Sequence, residues 1–179
     1  MKSTRDTDYL SIGIQYYLMG RSASLCILAP VAGNLFHHAF ELLFKFKLIS
    51  RYTPDDLQKK FGHDLPFIWE SFKCLLKKDI SKFDKLIDGL QKWEEIRYPN
   101  YPRGKSLVMV IDIKRGFKSG IKGPQAQKFN QYHLFLEDMD ELFKFVILNS
   151  SINPEFIKTL MVRKKSMDIY AEQNYHKLW

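Results

Sequence analysis

His37, His38, Glu41 and Lys45 form the sharpest cluster of chemically capable side chains in the sequence, and His63-Asp64 follows shortly after them. Imidazoles and carboxylates are suitable ligands for a divalent transition metal. A metal reading would use His38, His63 and Asp64, and a later acid such as Asp138 or Asp140 would have to complete it. The same residues also have a structural reading. His63 bonds to Glu41 or to a backbone carbonyl, Asp64 caps the helix that follows it, and Glu41 with Lys45 makes an i,i+4 helix pair. The structural reading is the expectation, so no resident metal, cofactor or catalytic residue is assigned. His37, His38, Glu41, Lys45, His63, Asp64 and Arg97 are kept together as a candidate ligand pocket or polar cluster.

A second set is defined by charge. Between residues 97 and 128 lie eight Lys or Arg residues and one acid, Asp112, a net +7 out of +8 for the whole chain. Arg103, Lys105, Lys114, Arg115, Lys118, Lys122 and Lys128 are the candidate nucleic-acid contacts, with Tyr98, Tyr101, Phe117 and Phe129 among them. Cations with interleaved aromatics suit phosphate contacts and base stacking. A solvated surface loop has the same composition. Arg103-Gly104-Lys105-Ser106 is not a phosphate loop: Pro99 stands where the motif needs glycine, and the strand comes after it rather than before.

The element that must position the first set is Pro30 to Ile49. Leu35, Ala39, Leu42, Phe46 and Ile49 recur at helical spacing, and His38, Glu41 and Lys45 form a polar stripe on a neighbouring face. A first helix is expected over Tyr9–Ala23, facing the core with Leu10, Ile14, Tyr17 and Leu18. Thr53-Pro54-Asp55-Asp56 signals a brief helix that ends at Gly62. Pro66 to about Lys77 follows, then a helix opened by a capping box at Ser81-Lys82-Phe83-Asp84, with Phe83, Leu86, Leu90 and Trp93 inward. Pro99 ends that helix. Leu107 to Ile113 is β-branched and short, a strand or small hairpin inserted near 106–123. Helix resumes near Gln131, with Leu136, Met139, Phe143, Val146 and Ile147 as its core face. Asn153-Pro154-Glu155 opens a last helix to about Gln173. The fold class is therefore mainly all-α: a single domain over residues 1–179, an up-and-down bundle with a small β insertion.

LFHHAFELLFK at 35–45, FGHDL at 61–65 and IRYP at 96–99 resemble the HEPN superfamily, over roughly residues 9–99. The resemblance implies an α-helical bundle, often dimeric. It also implies association with RNA cleavage, with nucleotide binding, or with a small nucleotidyltransferase-type partner in toxin–antitoxin pairs. Ribonuclease members carry Arg followed, after four to six residues, by His. None of His37, His38, His63, His133 or His176 has such an arginine, and the nearest approach, Lys128 before His133, is not equivalent. The expectation is a non-catalytic HEPN-like module that binds RNA, nucleotide, a second copy of itself or a nucleotidyltransferase-type protein. The alternative is an enzyme: a divergent ribonuclease, or a metal-dependent phosphohydrolase, since His38, His63 and Asp64 also resemble the HD phosphohydrolases.

Composition narrows the remaining classes. The chain has 179 residues, 45% hydrophobic, enough for one sizeable core. Its start lacks the apolar run of a signal peptide, and no uncharged stretch is long enough to span a membrane, so a cytoplasmic protein without a membrane partner is expected. Cys26 and Cys74 are too few for a disulfide framework or a zinc knuckle, and are expected to be buried thiols. The excess of aromatics for one small core adds to the expectation of a homodimer.

Overall fold

The computed structural model describes residues 4–26, 28–95, 107–112 and 130–160. It is mainly helical with one small sheet. In chain order these are α1 (Thr4–Leu25), α2 (Ala29–Leu48), α3 (Pro54–Lys59), α4 (Leu65–Leu76), a 3-10 turn (Ser81–Phe83) and α5 (Asp84–Glu95). Then come β1 (Leu107–Asp112), β2 (Asn130–Phe135), α6 (Leu136–Asn149) and α7 (Glu155–Leu160). The helix α2 touches α1, α4, α5, α6 and β1, the central place its apolar content requires. It is buried almost all round, and the deepest side chains are Phe36, Phe40, Leu43 and Phe44. The expected face is only partly the buried one: Ala39 and Phe46 are inside, while Leu35 and Ile49 are half-buried.

Gly13 of α1 lies against Ala39 and Leu43, and Gly20 lies against Phe36, so α1 and α2 run antiparallel. Tyr17 of α1 stacks on Phe143 of α6 with ring centroids 3.7 Å apart. On another side of α2, α5 comes so close that a Cβ on Gly33 would stand 2.0 Å from the Trp93 ring. Glycine is required there by proximity. The core faces expected for α5 and α6 are all buried.

Local signals explain most of the boundaries. Thr53 and Asp56 form a reciprocal capping box at α3: Asp56 N–H donates to Thr53 Oγ1 at 3.2 Å, and Thr53 N–H donates to Asp56 at 3.1 Å. Gly62 takes φ +52°, a conformation natural to glycine, and Asp64 caps α4 by accepting Phe67 N–H at 3.0 Å. At α5 the expectation fails. Ser81 turns back to Asp79, to which its N–H and hydroxyl donate at 3.1 and 2.8 Å. The helix begins only at Asp84, whose carboxylate accepts Trp69 Nε1–H and Lys73 instead of closing a capping box. A nearby aspartate offers the serine a local turn, which competes with capping.

The sheet also corrects the sequence reading. β1 lies where a strand was expected, but its partner is β2, and the pair is parallel, in register from Leu107↔Asn130 to Asp112↔Phe135. A hairpin is antiparallel; a parallel pair needs a long crossover, here residues 113–129. The backbone of β1 needs a ladder partner, so residues 130–135 are strand, and helix starts at Leu136 rather than near Gln131. Cys26 and Cys74 are exposed, contrary to expectation: one sits in the turn after α1, the other on the outer side of α4. The end expected for the last helix, near Gln173, lies outside the described residues. No described helix is long and apolar enough to cross a membrane.

Candidate functional site

In the polar stripe of α2, Glu41 and Lys45 are buried and His38 is half-buried, and the charges of Glu41 and Lys45 satisfy one another. Lys45 Nζ donates to Glu41 Oε1 at 2.7 Å and to the Gly62 carbonyl at 2.6 Å. His63 Nδ1 meets Glu41 Oε2 at 2.9 Å. Together these bonds pin the turn that contains Gly62 and His63 onto α2, and the left-handed Gly62 lets its carbonyl face the lysine. Burial alone would raise the Glu41 carboxyl. The pull of His38, Lys45 and His63 outweighs it and holds the group at about 2, so Glu41 is an anion at any ordinary pH. The Tyr9 phenol is raised by burial and then by the Glu41 charge.

A second shelf of the cluster is carried by α5. Gln91 Oε1 accepts Leu65 N–H at 3.0 Å and lies 3.3 Å from His37 Nε2. Glu94 Oε2 lies 3.8 Å from His37 Nδ1 and 3.9 Å from His38 Nε2. His37 is fully buried, and burial, only partly offset by the Glu94 and Glu41 charges, lowers its pKa. It is therefore a neutral imidazole near pH 7. Tyr16 of α1 covers His38, their rings 5.7 Å apart.

The structure thus brings together His37, His38, Glu41, Lys45 and His63. Asp64 is adjacent in chain but is employed as the α4 cap. Of the two acids considered for a metal set with His38, His63 and Asp64, Asp140 is held by Arg21 at 2.8 and 2.9 Å and by the Tyr17 hydroxyl. Asp138 lines a groove elsewhere. Arg97, Arg103, Lys105, Lys114, Arg115, Lys118, Lys122 and Lys128 lie outside the described residues.

Sequence reasoning missed Gln91 and Glu94. They sit three apart on α5, flanking the inward Leu90 and Trp93, and that spacing was the available signal. It also missed the buried Arg21–Asp140 pair, whose partners come from α1 and α6 and share no local motif. A groove of about 460 Å³ between α5, β2 and the start of α6 is lined by Lys82, Phe83, His133, Phe135, Asp138 and Glu141, among others. Its charges are mixed, and Lys82 is paired with Glu141.

Chemically, the α2 cluster offers an anionic carboxylate paired with Lys45 and a neutral buried imidazole. No family model matches the chain, and neither does any curated protein or solved structure.

Proposed function

We propose that this chain is a HEPN-like binding module that associates with single-stranded RNA through residues 97–128 and does not cleave it. The observation that carries the reading is the net +7 of that segment, interleaved with Tyr98, Tyr101 and Phe117 and followed by Phe129. Two features support it. The strand within the segment, β1, packs on α2, and β2, just beyond the segment, packs on α5. Lys45, Glu41 and His63 hold the α3–α4 turn on α2, and His37 reaches Gln91 of α5, a structural use of the α2 polar residues.

A second copy of the chain, nucleotide, or a nucleotidyltransferase-type protein belongs to the same reading through the HEPN resemblance. Ile12, Tyr16 and Met19, spaced four and three apart on α1, are exposed and suit a homodimer contact. The test is incubation of the purified chain with a labelled single-stranded RNA. Retention of the RNA at low salt with its length unchanged is expected. No retention sinks the binding reading, and cleavage that follows the protein through purification replaces it with the ribonuclease alternative.

A further inference from the structure

We propose that the groove between α5, β2 and the start of α6 binds one nucleotide. Its phosphate meets Lys85, its base lies against the rings of β2, and an exocyclic amine of the base donates to a carboxylate of α6. At about 460 Å³ the groove has the size of a small-ligand site. Leu134 of β2 packs over Gly89 of α5 so closely that a Cβ there would stand 2.7 Å from it, which draws the strand against the helix. Phe83, Leu86 and Leu134 line the groove and are buried, so its inner lining is apolar. His133 and Phe135, two apart on β2, stack with ring centroids 4.7 Å apart and planes at 29°. Both line the groove and are half-buried, and they supply the aromatic surface on which a base stacks.

The charged groups around this lining are what select the ligand. Lys82 is already engaged: its Nζ donates to Glu141 Oε1 at 2.5 Å and lies 4.8 Å from the centre of the Phe83 ring. Lys85 is exposed and makes no ion pair among the described residues, so it is the ammonium that meets an anion. Asp138 and Glu141, three apart on α6, line the other side. They repel a phosphate while Lys85 attracts it, so the anionic end of the ligand lies toward α5. Lys82 engages only Oε1 of Glu141, and Oε2 accepts from a neutral donor. A carboxylate pairs in this way with the exocyclic amine of cytosine; adenine and guanine also carry such an amine, and uracil has none. An aromatic or fatty carboxylate would suit Lys85 and the rings, but it would present nothing that donates to the acids of α6.

The chemistry is the same for a free nucleotide and for one residue of an RNA strand. The strand as source rests on the RNA-binding reading above. Lys128, the last cation of the basic segment, stands two residues before β2 begins at Asn130, so one short strand joins that segment to the groove.

CMP is titrated into the isotope-labelled full chain and followed by NMR. The amide signals of residues 82–86 and 133–135 should shift and saturate, a readout that needs no variant to fold. UMP, with a carbonyl where CMP carries its amine, should bind about fivefold weaker or more. Lys85→Ala, at an exposed position, should keep the helical circular dichroism and lose affinity for CMP about tenfold. A short oligocytidylate should move the same signals at lower concentration than CMP, and should lose that advantage when Lys114, Arg115, Lys118 and Lys122 are replaced by alanine. An oligomer no tighter than CMP makes the free nucleotide the ligand and overturns the RNA strand as its source. Groove signals unmoved by CMP, unchanged affinity in Lys85→Ala, or equal binding of UMP overturns the site, even where RNA binds elsewhere on the chain. CMP held in the groove by a protein that retains no RNA sinks the RNA reading alone.

Discussion

Glu41 is the residue on which the polar interior turns, because Lys45 and His63 both depend on it. Glu41→Gln leaves the Lys45 ammonium, 5% exposed, facing a neutral amide. Removing one partner of a buried ion pair costs about 3–5 kcal/mol. Urea unfolding of the chelator-treated protein should show a loss of that order. A loss under about 1 kcal/mol, typical of exposed pairs, would mean the pair is solvated. The same carboxylate makes stability depend on pH. Its folded value, about 2, lies below the ordinary 4.5, so the unfolded chain binds the proton more readily. The stabilisation is complete above pH 4.5 and is lost as the pH falls toward 2, about 3 kcal/mol in all. Wild type should therefore lose stability through that window more steeply than Glu41→Gln, and parallel curves would contradict the assignment. At this scale the sequence was informative where partners are close in chain. Glu41 with Lys45, and Asp64 as a cap, follow from spacing alone. Gln91 and Glu94 do not, because only the packing of α5 on α2 brings them within reach of His37.

The contact between α2 and α5 is therefore the element-scale feature that assembles the cluster, and Gly33 permits it. A methyl at Gly33 would meet the Trp93 ring at 2.0 Å, far inside contact distance, and both sides are held by buried neighbours. Gly33→Ala should destabilise the fold by about 1–3 kcal/mol or more through overpacking, although alanine is the better helix former. Thermal melting checks this, and an unchanged or raised midpoint would show that α5 can move away without cost. Helices whose starts are written in local capping residues, α3 and α4, were legible. The start of α5 was not, because Asp79 competes for Ser81 and Asp84 is drawn to Trp69 and Lys73. β2 was missed for a related reason: Asn130–Phe135 is a strand because β1 needs a ladder, a demand that no local pattern in those six residues expresses.

For the whole molecule, the periodicity of apolar residues was enough to place α2 at the centre and to define the inner faces of α5 and α6, since those depend only on which side chains must leave water. Association is the property most exposed to test at this scale. Sedimentation at micromolar concentration should give a mass near twice 21.2 kDa, and the monomer mass alone would remove the homodimer from the proposal. The central claim, that residues 97–128 hold single-stranded RNA by charge, is tested most directly by the salt dependence of binding, measured by fluorescence anisotropy. The logarithm of the binding constant should fall against log salt by about 0.7 for each phosphate contact. Replacing Lys114, Arg115, Lys118 and Lys122 by alanine should flatten that slope by up to about 3, while Phe117→Ala should weaken binding and leave the slope in place. If the wild type binds no RNA at low salt, or the fourfold variant keeps the wild-type slope, the basic segment is a solvated surface and the proposed function is wrong.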